Sequence, residues 1–120
     1  MADGTNEEEE LDVTVPPSST GCLECEQTGG WWVHLRRCAA CGHIGCCDSS
    51  PSQHASAHYT ETGHPLMRSF EPGEGWYFDY STQEMFANGP DLAPPESRPE
   101  SQSVPGPADR VPENWRELIH

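Results

Sequence analysis

A small α+β domain held together by metal is the fold class that three features of the sequence predict. The first is a ladder of donors: two Cys-x-x-Cys pairs, a Cys-Cys pair and three spaced histidines, all between Cys22 and His64. The second is a shortage of apolar residues, 33% of 120 against roughly 45–50% in ordinary globular chains, so a domain this small needs a staple. The third is a series of short β-rich runs interrupted by one helix-compatible run.

Composition divides the chain into three. Residues 1–20 carry Asp3, Glu7, Glu8, Glu9, Glu10 and Asp12 with no base, followed by Pro16, Pro17, Ser18 and Ser19. This predicts a disordered acidic leader. Residues 89–120 hold seven prolines and no apolar periodicity, which predicts a Pro-rich disordered tail. Within it, Val111, Trp115, Leu118 and Ile119 fall at helical spacing, so residues 112–119 read as a short partner-binding helix, as a segment folded back on the folded unit, or as a frayed end. All six Cys, five of six His and three of four Trp lie between Cys22 and Trp76, so the folded unit is expected over 21–88.

Twenty acids against six arginines and no lysine give a net charge of -14. That sign excludes nucleic acid and anionic membrane surfaces as partners. No apolar window reaches the roughly 20 residues of a membrane span, and the acidic N-terminus does not resemble a secretory signal. A cytoplasmic monomer is the expectation. Disulfides are rare in that compartment, which turns the cysteines toward metal.

The elements follow in order. Trp31-Trp32-Val33-His34-Leu35 reads as a strand. Cys38-Ala39-Ala40-Cys41-Gly42 reads as a tight metal-binding turn, with Gly42 easing the backbone. Ser50-Pro51-Ser52-Gln53 is a helix-start signal: Ser as N-cap, Pro at the first helical position and Gln three residues after the cap. The helix continues through His54, Ala55, Ala57, His58 and Tyr59 to Gly63. Pro65 to Phe70 and Trp76 to Tyr80 read as strands joined by the turn Glu71 to Gly75, with Glu84-Met85-Phe86 as a third.

The donor spacing is Cys22-x2-Cys25, twelve residues, Cys38-x2-Cys41, four residues, Cys46-Cys47, then His54-x3-His58-x5-His64. Zinc takes four N or S donors in a structural site, and these residues suffice to close two such sites. Helical spacing alone lets His54 and His58 share one metal. The rival chemistries are a redox centre, a zinc-buffering protein and a zinc-dependent hydrolase. The first lacks a surrounding βαβ pattern, and the last needs an open coordination position.

The runs Trp32-Val33-His34-Leu35, Cys38 to Cys46, Gln53 to Tyr59 and Gly63-His64-Pro65-Leu66 resemble the UBP-type zinc finger of ubiquitin-specific proteases, in the small stand-alone form found in bacteria. The resemblance covers about residues 22–80. It implies a short antiparallel sheet packed on one main helix, with treble-clef-like zinc knuckles. It also implies two zinc sites, Cys22, Cys25, Cys46 and His54 in one, Cys38, Cys41, His58 and His64 in the other. Cys47 is then spare, either a small buried apolar residue or a reactive thiol. His34 and His43 match no ligand position. Tyr77 and Tyr80 stand where larger members carry a third-site Cys pair, so two zincs are expected.

The family binds the free C-terminal tail of a protein ending in Gly-Gly, and it is an interaction module, not an enzyme. Carried over, the binding residues are Trp32, Trp76 and Phe78, with Asp48 where the family has a tail-holding Arg. Exchanging a cation for a carboxylate reverses the local charge. A tail, of ubiquitin or of a ubiquitin-like modifier, is therefore expected to bind weakly unless Arg36, Arg37 or Arg68 takes over.

Overall fold

The structure, a computed structural model, describes residues 11–119. Residues 1–10 of the predicted leader and His120 lie outside that range. The elements are α1 (Leu23–Thr28), β1 (Leu35–Cys38), β2 (Ile44–Cys46), α2 (His54–Thr62), β3 (Leu66–Ser69), β4 (Tyr77–Asp79) and β5 (Glu84–Phe86), followed by two single turns of 3-10 helix. The strands form one antiparallel sheet in the order β2-β1-β3-β4-β5. The predicted α+β class and the zinc-stapled architecture are present.

Register sorts the side chains onto two faces. Arg36 lies opposite Gly45 and Ser69, and Arg37 opposite Ile44 and Arg68. Because successive side chains alternate, Arg36, Met67, Phe78 and Met85 share one face, while Leu35, Ile44, Arg37, Arg68 and Tyr77 share the other. Helix α2 crosses the first face at Gly45, where a Cβ would stand 2.7 Å from the Ala55 nitrogen. Only a residue without a side chain permits that approach.

The core has two parts. Trp32, Leu35, Ile44 and Phe70 pack around Cys22, Cys25 and Cys46; Ala39, Tyr77 and Leu92 form a second cluster, flanked by Leu11 and Leu66. Most of the apolar burial thus lies against metal donors, as the composition requires.

Where composition predicts unstructured ends, the structure lays residues 11–20 and the tail against the sheet. Asp12 and Ser18 donate backbone hydrogen bonds to Ala39 and Gly42. The Arg37 guanidinium, 1% exposed, donates to the carbonyls of Val15 at 2.7 Å and Pro95 at 3.2 Å. The Tyr77 hydroxyl donates to the Pro90 carbonyl, and Gly106 exchanges both backbone hydrogen bonds with Trp32. Arg98 donates its Nε to Glu71 Oε1 at 2.9 Å. A chain poor in apolar residues is held here by polar groups buried in pairs, which composition cannot reveal. The helix read over 112–119 is a single 3-10 turn, Trp115–Glu117.

Two boundaries move. The first strand begins at Leu35, not Trp31, because Trp32 leaves the sheet to pair with Gly106. Helix α2 begins at His54, after Gln53 at φ 50°, and Ser50 is not its cap. The Ser50 hydroxyl instead accepts the Val33 N–H at 2.9 Å. The end at Gly63 is as read, with φ 77° and its N–H donated to the Tyr59 carbonyl. Helix α1 is not legible in the sequence: six residues carry too little periodicity, although Gly29 at φ 79° marks its end. No helix among the described residues is long and apolar enough to cross a membrane.

Candidate functional site

Three of the four donors of the first cluster sit at the end of an element. Cys22 and Cys25 lie at the start and within α1, Cys46 ends β2, and His54 begins α2. The His54 Nδ1 is 3.1 Å from Cys22 Sγ, 3.4 Å from Cys25 Sγ and 3.5 Å from Cys46 Sγ, and the last two sulfurs are 4.0 Å apart. Tetrahedral zinc, with bonds of about 2.3 Å to sulfur and about 2.0–2.1 Å to nitrogen, needs about 3.8 Å between sulfurs and about 3.6 Å from sulfur to nitrogen. The sulfur–nitrogen distances lie at or within about 0.5 Å below the second value, and the one sulfur–sulfur distance lies about 0.2 Å above the first. Cys46 Sγ also accepts the His54 N–H at 3.2 Å, so a metal ligand serves as the helix cap that Ser50 was expected to provide.

The second cluster joins Cys38 at the end of β1, Cys41 in the turn before Gly42, His58 one turn along α2, and His64 just past Gly63. Cys38 Sγ is 3.5 Å from His64 Nδ1, and Cys41 Sγ is 3.3 Å from His58 Nε2. In each cluster the four donor atoms lie within 4.8 Å of one another. His54 and His58 therefore serve different metals, and α2 ties the two sites together. The donor sets, three S with one N and two S with two N, suit zinc, and they suit two ions per chain.

Electrostatics says the same. Hydrogen bonding to Cys22 and Cys46, with burial, holds the Cys25 thiol far above its usual range. Hydrogen bonds from Cys22 and Cys25 pull Cys46 down to about 2. Burial pushes Cys38 up to about 12. Sulfurs this close cannot all ionise unless a cation lies between them. Burial, with repulsion from His43 and His64, lowers His58 to about 4, leaving its ring neutral at pH 7 as a metal ligand must be.

Sequence reasoning missed His43. Its ring stacks on His58 with centroids 4.1 Å apart and planes within 2°, and its Nε2 lies 2.8 Å from a Glu24 carboxylate oxygen. It thereby braces a ligand of the second site against α1. His34 is likewise not a ligand; its Nδ1 lies 3.3 Å from Glu71. Cys47 is buried, with its sulfur 3.6 Å from the Ser50 hydroxyl.

Asp48, Trp76 and Phe78 come together in a groove of about 200 Å³ on the α2 side of the sheet, beside Arg36, Tyr80 and Met85. Trp32 does not join them. At 2% exposure it is core, wedged against Gly21, whose added Cβ would meet the ring at 2.7 Å. Of Arg36, Arg37 and Arg68, only Arg36 reaches the groove; its guanidinium lies 4.6 Å above the Trp76 ring. Arg37 and Arg68 are buried on the opposite face.

The model of the zinc finger in ubiquitin hydrolases and other proteins matches residues 22–90. The solution NMR structure of a protein from Rhodopseudomonas palustris is 44% identical to this chain. It superposes with a TM-score of 0.64, over 73% of this chain and 87% of that one.

Proposed function

The chain belongs to the UBP-type zinc-finger family, and on that premise we propose that it is a receptor for the free C-terminal tail of a protein or peptide. The observation that carries this reading is the position of Arg36. Its guanidinium stands in the same groove as Trp76, Phe78 and Tyr80, where the aromatic rings supply walls and the cation supplies a partner for a carboxylate. Arg36 thus takes the role that Asp48 cannot fill. A groove of about 200 Å³ walled by Trp76, Phe78 and Tyr80 suits a slim terminus of small residues such as Gly-Gly. A ubiquitin-like modifier has such an end.

Binding is favoured over hydrolysis because each cluster offers four protein donors, leaving no position for a metal-bound water. The zincs hold the frame on which β1 and β4 present the groove. Fluorescence anisotropy with a labelled peptide ending in Gly-Gly, as free acid and as amide, tests the reading. The acid should bind, and Arg36→Ala should weaken it by about 10- to 100-fold, as expected when a charge-assisted hydrogen bond is lost. Trp76→Ala should weaken acid and amide alike. An acid that binds no better than its amide, or full binding by Arg36→Ala, would refute it.

A further inference from the structure

Arg36 explains one charge in the groove and leaves the other without a purpose. The Asp48 carboxylate is exposed and makes no hydrogen bond or ion pair among the described residues; only its backbone carbonyl is engaged, by Gln53 Nε2 at 2.9 Å. Tyr80 stands within reach of both charges: burial disfavours its phenolate, Asp48 disfavours it further, and Arg36 opposes both. The groove thus presents a cation, an anion and aromatic surface to the same occupant. A ligand carrying only a carboxylate satisfies Arg36 and is repelled by Asp48. A ligand that also carries a cation close to its end satisfies both.

We propose that Asp48 makes the groove selective for chain termini bearing a basic side chain within the last few residues, a preference that rests on the tail reading above. Two further observations favour it. Among the groove residues named above, Asp48 is the only acid, so the preference has one identifiable source. The chain as a whole is at -14, which draws basic ligands and repels acidic ones at long range.

Three free-acid peptides that differ only in the residue before a terminal Gly-Gly (Arg, Ala or Glu), with the amide of the Arg peptide, separate the possibilities by anisotropy. For the zinc-loaded full chain the expected order is Arg, Ala, Glu, with about tenfold between the extremes. In Asp48→Asn, with zinc content unchanged, the three should fall within about twofold. Equal binding of the Arg and Glu peptides by the wild type overturns the selector role while leaving the tail reading intact. So does a preference that survives Asp48→Asn, which would assign it to the general field of the chain. An amide that binds as tightly as its acid, with the Arg preference kept, overturns the terminal-carboxylate reading and supports Asp48 as selector. No binding of any peptide overturns both.

Discussion

The ion pair between Arg98 and Glu71 should decide whether the tail stays on the sheet. Arg98 Nε and Nη2 lie 2.9 and 2.8 Å from Glu71 Oε1, and the two side chains are 10% and 7% exposed. The Leu35 N–H donates to Oε2 at 2.9 Å. Burial works against the ionised form of Glu71, but His34, Arg98 and the Leu35 N–H outweigh it and hold the carboxyl at about 2, against an ordinary 4.5. That difference corresponds to about 3 kcal/mol favouring the native ionised state at neutral pH. Since the folded value is depressed, the contribution is complete above pH 4.5 and is lost only as pH falls toward about 2. Arg98 supplies part of it; breaking a buried pair costs about 3–5 kcal/mol when dry, and less where water enters beside the exposed tail. We expect Arg98→Met to lose about 2–3 kcal/mol. The assay is a double-mutant cycle of Arg98→Met and Glu71→Gln, by urea unfolding at fixed free zinc with tryptophan fluorescence as the signal. A coupling of about 1.5 kcal/mol or more, equal at pH 7 and pH 8.5, is the expected result. A coupling under about 0.5 kcal/mol would show that this pair does not anchor the tail.

Purified protein should contain two zincs per chain by metal analysis, and chelation should abolish the folded signal of residues 22–88, since structural zinc can supply on the order of 10 kcal/mol or more. One zinc per chain, or a fold that survives chelation, would contradict the two-site assignment. Gly45→Ala should lower stability by about 1–3 kcal/mol, because its Cβ would meet the backbone of α2 at 2.7 Å. The displacement moves His54, so zinc retention in a competition with a chromophoric chelator should weaken in parallel; an unchanged melting temperature would mean that α2 does not sit this close to β2.

The local parts of this protein are legible in its sequence because they depend on near neighbours. Each Cys-x-x-Cys pair closes within a turn, Gly63 ends α2 because it is free to adopt a positive φ, and the β-rich runs over residues 65–70, 76–80 and 84–86 become strands β3, β4 and β5. Spacing alone left open whether His54 and His58 share a metal; the fold separates them, one toward Cys46 and one toward Cys41. Alternation along β1 puts Arg36 and Arg37 on opposite faces, but it cannot say which face carries the groove. That depends on α2 crossing at Gly45, and on the leader and tail covering the other side. Trp32 looks alike as core or as groove wall until Gly21 and Gly106 are brought against it from distant chain. Polar residues in the ends predict disorder by composition, yet Arg37, Glu71, Tyr77 and Arg98 find partners up to 58 residues away. Composition records how many polar groups a chain has; only the tertiary structure decides which are satisfied when buried, and with that which segments fold.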